Sequence, residues 1–180
     1  MDQLLSWLAD KDFFEAPAST QYHGSYKGGL CQHSIDVLEY ALTLNKSMFP
    51  TDSKEETGKF STESLCIASL FHDVCKVGLY GVEYRNKKNK LGAWESVPVY
   101  VINETFHFGG HGSKSVYLVQ WFMKLRKEEA VAINCHMGFS DGSPTVTRDV
   151  SNAFHQYPMA WLIHVADEAA TFLLNREPKK

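Results

Sequence analysis

The chain has 180 residues, of which 44% are hydrophobic and 22% are charged, and its net charge is −3 at pH 7. These values are typical of a single globular domain, and they give no general reason to expect a nucleic-acid or membrane partner. No apolar run approaches the roughly 20 residues of a membrane span, and the first residues lack a signal-peptide pattern. The four cysteines are scattered without a CxxC pair, which indicates free thiols and a cytoplasmic location.

The N-terminal third predicts two helices separated by a loop. Residues 1–15 form a short amphipathic helix that Pro17 ends, and residues 18–29 form a polar, glycine-containing loop. The second helix, over about 30–48, has apolar residues at i, i+3 and i+4 spacing, and His33 lies on this apolar face. A lone histidine there is also explained as a core residue bonded to a backbone carbonyl.

The third predicted helix, over about 61–76, carries the most informative residues of the chain. Its apolar face ends in His72, Asp73 follows directly, and Lys76 lies one turn later. Burying an imidazole and a carboxylate costs on the order of several kcal/mol unless a partner compensates them. Because a metal ion compensates both groups at once, this pair indicates a metal site.

A small β-hairpin with a basic tip is predicted over about 80–102. Strand-like composition at both ends of this segment flanks a charged turn. Pro98 confines the second strand to a sheet edge. The basic run is either a solvated face or a contact for an anionic substrate, and in the second case Arg85 and Lys87 reach back over the site.

Two further helices each place a histidine on an apolar face. His111 opens the first of them, and His136 lies at the end of the second, over about 127–137. The glycine-rich segment before His111 lacks the GxxxxGK[ST] spacing and a βαβ unit, which argues against a phosphate loop. The GxSxG sequence at 138–142 follows a helix instead of a strand, which argues against the nucleophile elbow of a serine hydrolase.

The last predicted helix begins near Pro158 and ends at about residue 174. Asp167 lies on its apolar stripe, with His164 one turn before it. A buried carboxylate is rare without a cation or several hydrogen-bond donors, so Asp167 requires a partner. We interpret His164 as a packing residue or as a support for a metal ligand.

Metal-competent groups thus lie on the apolar faces of five predicted helices. They are His33, His72, Asp73, His111, His136 and Asp167. Imidazole and carboxylate without thiolate disfavour a structural tetrahedral zinc site and suit a six-coordinate transition-metal site. The HExxH sequence is absent, so the chain is not a zincin.

Three segments resemble motifs of the HD-domain superfamily of metal-dependent phosphohydrolases. Residues 28–34 (GGLCQHS) are similar to its first motif, residues 70–76 (LFHDVCK) to the defining L-x-H-D-[IV]-x-K motif, and residues 163–167 (IHVAD) to the closing I-x-H-x-A-D motif. Together the motifs are much more specific than the HD dipeptide. The resemblance implies an all-α bundle of about five to seven helices, with the hairpin as an insertion, in a single domain over 1–180.

The resemblance also implies two metal positions that share one carboxylate. The ligands of the first would be His33, His72, Asp73 and Asp167. Those of the second would be His111, His136 and a bridging Asp73. The cofactor implied is one or two divalent ions of manganese, iron, cobalt or nickel, with magnesium and zinc as alternatives. Asp73 and Lys76 would be the catalytic residues. Lys76 would either neutralise a phosphate oxygen in the transition state or hold Asp73 in position.

Polar residues near the motifs are candidates for substrate contacts. They are His23, Tyr26, Lys76, Arg85, Lys87 and Lys114. His107 and His155 lie in predicted loops and are assigned no role.

Three functions fit the sequence. The favoured one is a phosphohydrolase that uses a metal-activated water on a phosphoester of a nucleotide or related small metabolite. The second is a di-iron oxygenase or oxidase, which would resemble myo-inositol oxygenase within the same superfamily. The third is a non-catalytic regulator that binds a metal or nucleotide. We expect a small phosphorylated partner and neither a membrane nor a nucleic acid, and an oligomer is compatible with the sequence.

Overall fold

Helices dominate the computed structural model, which describes residues 2–49, 58–140 and 144–174. The α-helices are α1 (Asp2–Asp10), α2 (Gly29–Met48), α3 (Thr62–Phe71), α4 (His111–Val119), α5 (Lys127–Cys135), α6 (Pro144–Gln156) and α7 (Pro158–Phe172). The strands β1 (Tyr80–Lys88) and β2 (Trp94–Ile102) form one antiparallel hairpin. The prediction of a mostly helical chain with a small hairpin is confirmed. None of the described helices is both long and apolar enough to cross a membrane.

The core lies between α2, α3, α5 and α7. Helix α2 packs against α3 and α7, and α5 packs against α3, α4 and α7. Each of the four core helices contributes fully buried apolar side chains, among them Leu30, Leu65, Ile133 and Leu162. Burial of each such side chain stabilises the fold by about 1.5–3 kcal/mol. Polar residues on the same helix faces are therefore buried as well, and they need partners inside the domain.

Two buried polar side chains determine how these helices meet. Asn45, near the end of α2, donates to the carbonyl of Phe60 (2.9 Å) and accepts from its N–H (3.1 Å). Glu129, in the first turn of α5, accepts from the N–H of Arg126 (2.8 Å) and from the hydroxyl of Ser64 in α3 (2.7 Å). These bonds tie α3 to α2 and α5. His33 lies in α2, and His72 and His136 directly follow α3 and α5.

Helix α3 is shorter than predicted. It ends at Phe71, and a separate 3₁₀ turn covers Val74–Lys76. The ring Nδ1 of His72 lies 2.7 Å from the carbonyl oxygen of Ser69, to which it donates. In a continuing α-helix this carbonyl would accept from the N–H of Asp73, so the side-chain bond competes with the next helical bond.

Other boundaries also differ from the predictions. Helix α1 ends at Asp10, and residues 11–15 continue as turns with bonds such as that from the Lys11 N–H to the Trp7 carbonyl. Helix α6 was not predicted, although it begins with Pro144, a residue that suits the first turn of a helix.

Strand β1 is longer than predicted, because it includes most of the basic run, whereas β2 covers the predicted residues 94–102. Hydrogen bonds pair Asn89 with Ala93 and Asn103 with Leu79 at the two ends of the hairpin. Residue pairs in an antiparallel ladder alternate between hydrogen-bonded and non-hydrogen-bonded pairs. Because Asn89 and Ala93 form a bonded pair, the register makes Tyr84 and Pro98 a non-bonded pair. At a non-bonded pair the backbone N–H points away from the partner strand, so the lack of an N–H in Pro98 removes no hydrogen bond between β1 and β2.

Candidate metal centre

Five of the predicted ligands converge in the interior. The Nε2 of His33 lies 3.0 Å from Asp167 Oδ1, 3.3 Å from His72 Nε2 and 3.8 Å from Asp73 Oδ2. The Nε2 of His72 lies 3.4 Å from Asp73 Oδ2, and that of His136 lies 3.5 Å from Asp73 Oδ1. His72 and His136 are 0% exposed, and Asp73 is 2% exposed. Residues from α2, α7 and the ends of α3 and α5 thus meet in one cluster.

His72 and His136 enter the cluster in the same way. Each directly follows a helix, and its Nδ1 lies 2.7 Å from the backbone carbonyl three residues earlier, that of Ser69 or Ile133. A carbonyl only accepts, so each Nδ1 carries a proton and, in the neutral ring, Nε2 is a bare lone pair. Such backbone contacts orient ligand histidines in metal sites.

The cluster contains lone pairs that make no hydrogen bond with the described residues. In the described part of the chain, three buried side-chain polar atoms make no hydrogen bond: Ser69 Oγ, Asp73 Oδ1 and His136 Nε2. Two of the three lie 3.5 Å apart at the centre of the cluster. A buried lone pair without a partner costs about 1–3 kcal/mol, and a cation between such atoms removes that cost.

Two sets of ligand atoms in the cluster each lie within 4.8 Å of one another. One set is His33, His72 and Asp73, and the other is His72, His136 and Asp167. Imidazole nitrogen and carboxylate oxygen are suitable ligands for divalent transition metals. The buried side chains therefore fit a metal ion, and this fit does not determine which metal binds or how many ions bind.

Among the described residues, His111 lies in a third group of possible metal ligands. Its partners there are Asp73 and Cys75, again with ligand atoms within 4.8 Å, and Cys75 Sγ is 3.5 Å from His111 Nδ1. The predicted second position, which combines His111 with His136 and Asp73, stays a prediction. Sequence reasoning missed Cys75, because in a continuous helix it would lie about 200° around the axis from Asp73. The break after Phe71 brings the two side chains together.

Lys76 forms a close ion pair with Asp73, with 2.6 Å between Nζ and Oδ2. Burial alone would raise the pKa of Asp73, but the Lys76 ammonium and His72 hold it well below its usual value. Burial would likewise lower the pKa of Lys76, and the Asp73 carboxylate outweighs this and raises it. Asp73 also raises the pKa of His72 against the opposing effect of burial. Lys76 therefore supplies a fixed positive charge beside the cluster.

The loop before α2 covers one side of the cluster. The ring of His23 lies 4.9 Å from that of His33, and the two residues line a small cavity together with Tyr26. Burial, followed by the charges of His33 and Lys76, lowers the pKa of His23 to about 4. His23 is therefore neutral at pH 7.

The two consecutive glycines before His33, Gly28 and Gly29, have a steric role. Gly28 has φ of +83°, which favours glycine, and it precedes the first residue of α2. A Cβ on Gly29 would clash with the carbonyl of Gly24. The pair thus lets the loop pack closely against the start of α2, one turn before His33.

The other candidate substrate residues lie outside the cluster. Arg85 and Lys87 line a cavity of about 370 Å³ between the hairpin and residues 20–21. The ammonium of Lys114 donates to Glu104 (2.7 Å) and to the carbonyl of Phe106 (2.6 Å), so it braces the loop before α4. Their contacts with a substrate stay predictions.

His164 supports the cluster from α7. Its Nδ1 lies 2.7 Å from the carbonyl oxygen of His136, to which it donates. Gly138 has φ of +59°, and a Cβ there would clash with the His164 ring. His164 therefore positions the end of α5, in line with the support role predicted for it.

No family model, curated protein or solved structure matches the chain. The helical fold and the His/Asp cluster are compatible with the HD-domain superfamily, whose motifs the sequence resembles.

Proposed function

We propose that the protein is an HD-domain type, metal-dependent phosphohydrolase acting on a phosphoester of a nucleotide or related small metabolite. The observation that carries this proposal is the buried cluster in which histidine and aspartate lone pairs meet without partners among the described residues. The three motif-like segments supply His33, His72, Asp73 and Asp167, four of the clustered residues. The choice of a nucleotide rests on the resemblance alone.

The residues that would hold a metal are His33, His72, Asp73 and Asp167, with His136 beside them. A divalent ion bound there would lower the pKa of a water toward about 7 and polarise a phosphoryl oxygen. Two such ions would exceed the charge of the two carboxylates, Asp73 and Asp167, and the resulting positive site would attract phosphate. A single ion would be balanced by these carboxylates, and the ammonium of Lys76 would then be the remaining positive charge.

Lys76 would act on the phosphoryl group. Its ammonium is anchored by Asp73 at 2.6 Å, and its raised pKa keeps it charged at neutral pH. A fixed cation beside a reacting phosphoryl group stabilises the negative charge on its oxygens. Its anchorage to Asp73 gives this charge a defined position, so that it needs little reorganisation during the reaction.

His23 would exclude water from the side of His33. The neutral ring packs over the ligand without adding a charge to the site. Loss of the His23 ring would open the small cavity beside His33 to solvent.

The test is a phosphatase and phosphodiesterase screen with several divalent metals. Asp73→Ala is the blank, and Asp149→Ala, which removes an exposed carboxylate on α6, is the matched control. We expect phosphate release that requires an added metal, disappears in Asp73→Ala and persists in Asp149→Ala. Turnover in Asp73→Ala at the wild-type rate would contradict the proposal. Iron-dependent oxygen consumption without phosphate release would replace the hydrolase with the oxygenase.

A further inference from the structure

We propose that Asp73, Cys75 and His111 form a second metal position with a cysteine thiolate as a ligand, suited to a thiophilic divalent ion such as zinc, cobalt(II) or iron(II). This inference rests on the proposed function only in so far as both place a metal at Asp73. It does not require that the protein hydrolyses phosphoesters.

The geometry of the three side chains is the first argument. One ligand atom from each residue lies within 4.8 Å of the other two, and Cys75 Sγ is 3.5 Å from His111 Nδ1. Asp73 divides its carboxylate between two sides. Its Oδ2 faces Lys76, His72 and His33, whereas its Oδ1 lies 3.5 Å from His136 Nε2 and makes no hydrogen bond in the described part of the chain. Since a carboxylate has two oxygens, Asp73 could contribute to the first cluster and also serve as a ligand beside Cys75 and His111.

The side chains are held in place by the packing of α4. The hydroxyl of Ser115 accepts from the N–H of Cys75 at 3.1 Å, which joins the 3₁₀ turn to α4. His111 is the first residue of the same helix. At Gly112 a Cβ would clash with the carbonyl of Asn134, so α4 is in close contact with α5. These contacts fix the distance between Cys75 and His111.

The environment suits a reactive site better than a structural one. Cys75 is 1% exposed and Asp73 is buried, whereas His111 is exposed. A site with three protein ligands and one open side is typical of catalytic zinc, and structural zinc is usually enclosed by four ligands. Because His111 is exposed, a metal bound to it would be accessible to water or a substrate oxygen.

A thiolate ligand changes the expected metal. Soft sulfur ligands favour zinc, cobalt or iron over the hard magnesium ion, which prefers oxygen. Coordination would replace the S–H bond of Cys75 by a sulfur–metal bond and release the proton to solvent. The competing explanation is a thiol that only donates a hydrogen bond to His111.

Cobalt(II) titration of the reduced, metal-free protein separates these explanations. A thiolate bound to cobalt(II) gives a near-ultraviolet charge-transfer band, which imidazole and carboxylate ligands do not give. We expect this band in the wild type and its loss in Cys75→Ser. A variant with Cys31→Ser, Cys66→Ser and Cys135→Ser retains Cys75 as its single thiol and should keep the band. This variant decides the test if Cys75→Ser does not fold by circular dichroism.

The outcomes separate the two proposals. If cobalt binds with visible ligand-field bands but without the charge-transfer band, the thiolate position is wrong and the phosphohydrolase stands. Persistence of the band in folded Cys75→Ser, or its loss in the single-thiol variant, also overturns the thiolate position. If the band depends on Cys75 and no metal supports phosphate release, the thiolate position stands and the proposed function fails.

Discussion

The candidate metal centre and the hairpin are opposite environments in one small chain. The centre is built from buried ionisable side chains on different helices, with His72 and His136 0% exposed. The hairpin strands pack extensively on each other and expose large side chains, including Tyr84 at 73% and Trp94 at 69%. In the first environment each polar group depends on its neighbours, whereas in the second most side chains are solvated. Substitutions should therefore have large, coupled effects in the centre and small, local effects in the hairpin.

The largest effect is expected for Asp73→Asn. This substitution keeps the shape of the side chain and removes the charge that both proposed metal positions share. A metal supplies several kcal/mol of transition-state stabilisation, so kcat/KM for metal-dependent phosphate release should fall by at least about 1,000-fold. Steady-state kinetics would check this, with Asp149→Asn on the surface as the matched control. A loss of less than tenfold (about 1.4 kcal/mol) would contradict the central role of Asp73.

Lys76→Gln should have the next largest effect and separates catalysis from metal binding. The substitution removes the fixed ammonium beside Asp73, and loss of one such charge lowers kcat by about 100- to 1,000-fold. Metal content should stay close to that of the wild type, because a lysine ammonium is not a ligand. Lys88→Gln, in the hairpin where Nζ lies 5.3 Å from the Trp94 ring, is the control and should keep full kcat. A similar kcat in both variants would mean that Lys76 only supports Asp73.

Stability provides a third contrast between the two regions. Leu162→Ala removes a fully buried side chain of α7 and should lower the free energy of unfolding by about 2–5 kcal/mol. Tyr84→Ala removes an exposed hairpin side chain and should change it by less than about 0.5 kcal/mol. Urea unfolding followed by circular dichroism measures both. A loss above about 2 kcal/mol in Tyr84→Ala would show that the hairpin packs on something else in solution.

The smallest effect is expected from the basic residues of the hairpin. Arg85 and Lys87 line the cavity beside residues 20–21, while Lys88 packs by Trp94 on the opposite face. Arg85→Gln with Lys87→Gln should raise KM for an anionic substrate by about two- to fivefold, since exposed charge contacts contribute about 0.2–1 kcal/mol. Lys88→Gln with Lys90→Gln changes the net charge equally and should leave KM unchanged. Equal KM values in both double variants would mean that the basic run is a solvated face that does not contact the substrate.

Much of the centre could be predicted from the sequence, because burial makes its residues conspicuous. A histidine or aspartate on an apolar helix face needs a partner, and this reasoning alone selected His33, His72 and Asp167. The motif resemblance supported the expectation that these side chains share one metal site, and the structure brings them together.

The parts that could not be predicted depend on side-chain bonds that periodicity does not report. The bond from His72 to the Ser69 carbonyl competes with the backbone bond that would continue α3, and after the helix ends at Phe71 Cys75 lies beside His111. In the hairpin, strand β1 continues through the basic run to Lys88, because pairing with β2 and not composition sets its length.

The central claim, that the buried cluster is a metal centre, is tested most directly by metal content. Wild type and Asp73→Ala would be dialysed against the same divalent metal and analysed by plasma mass spectrometry, with folding checked by circular dichroism. We predict that the wild type retains one or two ions per chain and that folded Asp73→Ala retains none. Equal metal content in the two proteins would contradict the claim.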